Sequence, residues 1–297
     1  MAILFITSSR LGDAVIASGA IEHIRCAHPG AKLTVACGAA AAGVFARLPG
    51  LERLIIFEKQ SLDRHWLSLW SRLVRQRWDL VVDFRGSALA YALPARRRLI
   101  VRGGRRPGRR YIQIADSLRL SPPPLPVVWT APPDRARAED LLAGPALLGL
   151  GPTANWDGKI WPAERFVALA QRLALPRIAV FGGPGAAERA LAAPVLASLP
   201  GAIDLVGALS VAEAAACLAR CALFVGNDSG LMHLAAAAGT PTLGLFGRSR
   251  ASEYAPAGLR AAYVAAPGPE GEAAMDGLPV EAVAQAARDL LGVMAPA

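Results

Sequence analysis

The chain opens on an unbroken apolar run, AILFIT at residues 2–7, followed by the polar loop SSRLGD and then the helical spacing of AVIASGAIEHIRCAH, which Pro29 and Gly30 close. An apolar strand, a short polar loop and an amphipathic helix make up the unit that starts a doubly wound α/β sheet. The pattern recurs: LTVACG (33–38), LERLIIFE (51–58) and DLVVDFRG (79–86) read as strands, the last after a Trp-bearing helix over about 61–77. Strands apolar along their whole length predict a parallel sheet covered on both faces. Between 94 and 126 the alternation breaks down into PARRRLIVRGGRRPGRR and SPPPLP, which reads as loop-rich chain.

The alternation resumes at ALLGLGP. Strands are expected at 146–151, 177–183, 203–207, 223–227 and 242–247, with helices at 162–174, 185–197, 210–220 and 230–238 between them, and VEAVAQAARDLLGVM as a closing helix. The junction between the halves falls between about 122 and 145, where prolines and glycines bracket the short helix DRARAEDLLA. The domains are therefore read as 1–130 and 146–297, joined by a linker over 131–145.

Composition adds a charge argument. The chain has 297 residues, is 54% hydrophobic and carries a net charge of +9, almost all of its basic residues being arginine. Such a field favours anionic partners, among them nucleotide substrates and acidic lipid. Nucleic acid is set aside, because no reading motif and no interleaving of aromatic and basic residues accompany the charge. Cys26, Cys37, Cys217 and Cys221 are scattered and lack a nearby His or second Cys pair, so Cys217 and Cys221 read as buried thiols in a reducing compartment, with no metal site. The N-terminus carries Arg10 and Asp13 where an export signal would stay apolar, and the expected location is cytoplasmic.

In open α/β sheets ligands bind beyond the carboxyl ends of the strands, and four loops put polar residues there. In TSSRLGD, Ser9, Arg10 and Gly12 suit an anionic or sugar ligand; Asp13 is either the cap of the following helix or a general base. In GPTANWDGKIWPAERF, Thr153 offers a hydroxyl and Lys159 a mobile point charge suited to a phosphate, the alternative being a surface lysine in a turn. In FGGPGAAER, Glu188 is either a ribose ligand or a solvated helix residue; Asp204 lies about twenty residues on, but the glycine spacing is not that of a dinucleotide fold. In FVGNDSGLMHLAAAAGTPTLGLFG, the side chain of Asp228 or Ser229 is expected to cap a helix whose remaining free N–H groups, beside the side-chain-free Gly230, form an anion site. Ser229 and His233 are four apart and share a face of that helix.

Taken in order, LGDAVIASGAI, GPTANWDGKIWPAERF, the glycine loop and FVGNDSGLMHLAAAAGTPTLGLFG resemble the ADP-heptose glycosyltransferases of family 9, which build the lipopolysaccharide core. The resemblance spans Leu11 to Gly247, and the last motif is its most specific part. It implies a GT-B architecture: two Rossmann-like domains with parallel sheets facing a central cleft, the nucleotide-sugar donor on the C-terminal one and the acceptor on the N-terminal one. It further implies an inverting transfer of heptose without a covalent intermediate, a bridging metal or a cofactor. On that pattern Asp13 matches the general base, Lys159 the donor-phosphate lysine, and Asp228, Ser229, Gly230 and His233 the donor loop, with Thr153 joining the phosphate contacts. The arginine-rich stretch over 95–110 is not part of the family pattern; it suits an anionic lipid-linked glycan acceptor or the inner membrane surface, or is simply solvated. A nucleotide-sugar epimerase, sharing the fold and the diphosphate site, is the rival reading.

Overall fold

The computed structural model describes residues 1–58, 64–101 and 107–292, and divides into two compact units, Met1–Trp129 and Thr130–Ala297. The start of the helix expected over 61–77, the centre of the arginine stretch and the end of the closing helix lie outside the described residues.

The first unit runs β1 (Ala2–Ile6), α1 (Leu11–Ala27), β2 (Lys32–Cys37), α2 (Ala39–Phe45), β3 (Leu51–Ile56), α3 (Arg64–Leu73), β4 (Trp78–Asp83), β5 (Ala95–Ile100) and α4 (Arg110–Leu118). Its five strands are all parallel, in the order β3-β2-β1-β4-β5. Ile3, Leu4, Phe5 and Ile6 of β1 are fully buried, as central strands of a two-faced sheet must be. The unit is closed at its far end by Ser18 of α1, whose hydroxyl accepts the Val127 N–H at 2.9 Å, and by Trp129, whose indole donates to Glu22 at 3.1 Å.

The segment over 94–126, expected to be loop, holds β5 and α4. The reason is edge placement: an edge strand needs apolar side chains less than a central one. In ARRRLI the Arg98 guanidinium folds back onto the carbonyls of Ala90 (2.8 Å), Leu93 (2.6 Å) and Ala95 (3.2 Å), satisfying groups that would otherwise be bare.

The second unit runs α5 (Pro132–Leu142), β6 (Leu147–Gly151), α6 (Ala163–Leu173), β7 (Arg177–Gly182), α7 (Ala186–Ser198), β8 (Ile203–Val206), α8 (Val211–Leu218), β9 (Leu223–Asn227), α9 (Gly230–Ala237), β10 (Thr242–Phe246), α10 (Ala251–Tyr254), β11 (Ala261–Ala265) and α11 (Val280–Gly292). The stretch read as linker contains α5, which packs against α8 and belongs to this unit. The six strands are parallel in the order β11-β10-β9-β6-β7-β8, so both sheets wind outward from their first strand in the same sense. β11 lies at an edge and was not expected. Trp161, fully buried, packs edge-on against Phe166 with ring centroids 5.0 Å apart and donates its indole N–H to the Leu278 carbonyl at 3.0 Å, fixing the entry to α6.

Candidate functional site

In the second sheet β6 and β9 are neighbours, and the strand order reverses between them: β7 and β8 lie on one side, β10 and β11 on the other. Such a switch point leaves the loops after the two central strands diverging around an opening at their carboxyl ends. Backbone approach there is close. Gly151 and Gly226 are register partners, and the Phe224 ring occupies the space their side chains would take, 2.5 Å from a Cβ built on Gly151 and 2.7 Å from one on Gly226.

The two loops are joined by Asn227, which ends β9 and is fully buried. Its Oδ1 accepts the Trp161 N–H at 3.1 Å and its Nδ2 donates to the Pro152 carbonyl at 2.8 Å, so one side chain holds both ends of the 152–161 loop. That loop carries Lys159 in a single helical turn, Asp157–Lys159. The Lys159 ammonium lies 2.7 Å from Asp228 Oδ2, and His233 Nε2 lies 3.9 Å from Asp228 Oδ1. Asp228 is 4% exposed and Lys159 24%, so the carboxylate is enclosed while the ammonium keeps a side open to solvent.

Neither Asp228 nor Ser229 caps α9 through its side chain, which corrects the expectation from the sequence. Asp228 is turned to Lys159, and the Ser229 Oγ is buried without a hydrogen-bond partner. Ser229 holds the N-cap position in extended backbone, Gly230 opens the helix, and the first-turn N–H groups have no side-chain acceptor. Free N–H groups, the helix dipole and an adjacent ammonium together favour an anion.

Thr153 is buried immediately after β6, its methyl next to Gly182 of β7. Glu188 stands in the first turn of α7, where its Oε2 accepts the Gly183 N–H at 2.9 Å and closes the glycine loop. Asp204 is held by Arg189 and by the Val206 N–H. Lys159, Asp228 and His233 are thus brought into one cluster, while Thr153 and Glu188 stand at the same end of the sheet after β6 and β7.

The first sheet has its own reversal, between β1 and β4. Arg10 holds the N-cap position of α1 and Asp13 is its third residue; no side chain caps the helix, so capping does not account for Asp13. Its Oδ2 lies 3.3 Å from the Ser8 hydroxyl, which accepts the Arg10 N–H at 3.0 Å. Ser9 and Arg10 are exposed, and Gly12 and Asp13 half-buried. After β4, the buried Asp83 accepts the N–H groups of Arg85 and Ser87, each at 2.8 Å, and the Ser87 hydroxyl at 2.6 Å. The turn so formed presents Arg85, whose guanidinium stacks 5.6 Å from the Phe57 ring centroid and 5.1 Å from that of Trp66. Asn227 stood in the polar cluster of the last motif but was given no role from the sequence, and Asp83 and Arg85 escaped the sequence reading. An Asp at a strand end with Gly and Ser three and four residues on, as in DFRGS, was the available signal for the turn.

Among the described residues, no three His, Cys, Asp or Glu side chains converge as a metal-binding group. Cys217 and Cys221 are buried, and burial pushes the Cys217 thiol up to about 11 and the Cys221 thiol higher still, leaving both unreactive at neutral pH. Cys26 is exposed on α1. No described helix is long and apolar enough to cross a membrane.

The profile of glycosyltransferase family 9 (heptosyltransferase) matches residues 126–274. The chain belongs to glycosyltransferase family 9. It is accordingly a transferase, and the family 9 segment contains Thr153, Lys159, Glu188, Asp228, Ser229, Gly230 and His233, while Ser9, Arg10, Gly12 and Asp13 lie before it. Over nearly its whole length the chain is similar to a lipooligosaccharide heptosyltransferase 2 from Haemophilus influenzae, 23% identical over 86% of each chain. In fold it is similar to E. coli ADP-heptose LPS heptosyltransferase II (TM-score 0.81, 20% identity, 99% of both chains). A family 9 glycosyl transferase from Veillonella parvula (TM-score 0.82, 20% identity, 98% of this chain and 97% of that one) has the same fold. So does E. coli heptosyltransferase WaaC, solved with ADP (TM-score 0.75, 19% identity, 98% of this chain and all of that one). These likenesses establish the two-unit α/β fold of the family.

Proposed function

We propose that this family 9 member transfers heptose from ADP-heptose to a lipopolysaccharide-core glycan, inverting the anomeric centre. The observation that carries the reading is the Lys159–Asp228 pair beside the uncapped start of α9, inside the family segment. The names of its relatives support the choice of sugar: one is a lipooligosaccharide heptosyltransferase, and WaaC has been solved with ADP and with ADP-2-deoxy-2-fluoro heptose.

In this mechanism the acceptor hydroxyl attacks the anomeric carbon as its bond to the diphosphate oxygen breaks. Asp13 takes the hydroxyl proton as it is lost, a general-base step. The departing ADP gains negative charge, which Lys159 and the first N–H groups of α9 stabilise at fixed positions. Thr153, Ser229 and Gly230 complete the phosphate contacts, Glu188 meets the ribose, and His233 supports Asp228. Ser9, Arg10 and Gly12 serve the acceptor. No metal or cofactor enters the reaction, and it takes place in the cytoplasm at the inner face of the membrane.

The test is incubation of the purified protein with ADP-heptose and a heptose-deficient core glycan, followed by mass spectrometry. Acceptor gaining the mass of one heptose, with ADP released, is the expected result. Isomerised donor with no acceptor product would replace the reading with an epimerase.

A further inference from the structure

The first unit carries a surface that the transfer reaction does not use. α3 turns Trp66, Leu69 and Leu73 onto the sheet, where they join a core with Leu4, Val81 and Leu93. Leu67 and Trp70, one turn apart and therefore on one flank, stay outside, 70% and 36% exposed. The Trp70 indole donates to the Ala92 carbonyl at 3.1 Å, which seats its ring beside the helical turn Ala88–Tyr91. There Tyr91 is 71% exposed. Three large apolar side chains are thus gathered on one surface, and the polar edge of the Trp70 indole is already satisfied.

The charge around them is mainly positive, with Asp79 as the acidic exception. Residues 65–77 hold Arg72, Arg75 and Arg77 and no acidic residue. Register places more: Leu4, Val81 and Arg98 are lateral neighbours across β1, β4 and β5, so Arg98, and Arg96 two residues before it, stand on the face of the sheet that α3 covers. Arg98 braces the carbonyls of the turn that carries Tyr91, and the Arg96 side chain is 86% exposed, with Asp79 as its acidic neighbour at 3.6 Å.

We propose that α3, Tyr91 and the flanking arginines form a docking surface for an anionic bilayer. A short amphipathic helix with Leu and Trp outward and arginines along its borders lies in the headgroup plane, the apolar side chains entering the acyl boundary and the guanidinium groups meeting lipid phosphates. Charge complementarity selects lipid: the exposed Arg72, Arg75 and Arg77 stand at and beyond the end of α3 and the exposed Arg96 on the neighbouring strand, an excess of positive charge beside the apolar patch that suits an extended anionic plane. The surface adds α3 and Tyr91 to Arg96 and Arg98, part of the arginine stretch over 95–110 that the sequence offered to an acceptor, a membrane surface or solvent.

The experiment is co-sedimentation of the full chain with vesicles of pure phosphatidylcholine and of phosphatidylcholine containing phosphatidylglycerol. Binding is expected on the anionic vesicles, falling with added salt. The double variant Leu67→Ser/Tyr91→Ser should lower partitioning by roughly tenfold to a hundredfold, and Arg75→Gln/Arg77→Gln should lower it by roughly fivefold to thirtyfold, about one charge–lipid interaction each. Leu259→Ser, which removes a side chain 91% exposed on the second unit, should leave it unchanged. Circular dichroism and the ADP-induced thermal shift report that each variant is folded, and because vesicle binding is read without turnover, failure here is distinct from failure of the proposed transfer. The proposal is overturned if wild-type protein ignores anionic vesicles, if the Leu67/Tyr91 variant binds them equally, or if that variant instead abolishes self-association measured without lipid.

Discussion

The ammonium of Lys159 meets the carboxylate of Asp228 at 2.7 Å, across two loops that leave adjacent strands. Asp228 is 4% exposed, so removing its partner strands a buried charge. Lys159→Ala should therefore destabilise the protein by about 1–3 kcal/mol, as well as weaken ADP binding. In Lys159→Ala/Asp228→Asn the stability loss should shrink while ADP binding stays weak. Denaturant unfolding and calorimetry on the three proteins separate the two effects, and a double variant that regains wild-type affinity would remove Lys159 from the phosphate site.

Asp13 makes a different prediction, because its carboxylate does not cap α1 and, among the described residues, its hydrogen-bond donor is the Ser8 hydroxyl. Asp13→Asn keeps the shape and loses the base. Transfer should fall by about 10²–10⁴-fold, with ADP affinity unchanged. Single-turnover kinetics at saturating donor give the first quantity, and near-wild-type rates would take Asp13 out of the mechanism.

Acid stability of the first unit should depend on Glu22. The Arg25 side chain, with help from Trp129, holds the Glu22 carboxyl below the usual carboxylate range despite partial burial. A carboxylate whose pKa is depressed on folding contributes stability that is complete above its unfolded pKa and is lost as pH falls through its folded one. Glu22→Gln should thus be less stable than wild type at pH 7 by up to about 1 kcal/mol, the pair being partly solvated. The gap should narrow below about pH 4.5 and close in stronger acid. Urea midpoints followed by tryptophan fluorescence test this; a gap that is independent of pH would assign the loss to packing.

The glycine pair at the second switch point should resist substitution. Gly151→Ala puts a methyl 2.5 Å from the Phe224 ring, which cannot move without disturbing its contact with Phe181. A loss of about 1–3 kcal/mol is expected, partly regained in Gly151→Ala/Phe224→Leu. Unfolding of the two variants side by side settles it, and an unperturbed single variant would show that the ring has room to turn.

What could be read from the chain and what could not divides along physical lines. The central strands announce themselves because a position buried on two faces admits little but apolar residues, as in AILFI and LFVGN. The edge strands do not. In β5 three of six residues are arginine, and only the structure shows Arg98 folding over the carbonyls of the neighbouring turn. α5 was assigned to a linker because prolines and glycines bracket it, although Asp134, Ala138 and Leu142 are buried in the second unit. The site followed the same division. Lys159, Asp228, Gly230 and His233 stand in short motifs with a recognisable spacing, whereas Asn227 matters through partners 66 and 75 residues away. The helix cap was misjudged because Asp228 serves either an N–H group or an ammonium equally well, and local sequence does not show which one is near.

Asn227 has a consequence for the energetics of ligand capture. With its amide committed at both ends, to Trp161 and to Pro152, it closes the 152–161 segment into a hydrogen-bonded ring at the moment the second unit folds. The backbone freedom of that ring is surrendered during folding, so a nucleotide arriving at Lys159 meets a receptor already set in shape and forfeits little affinity to ordering it.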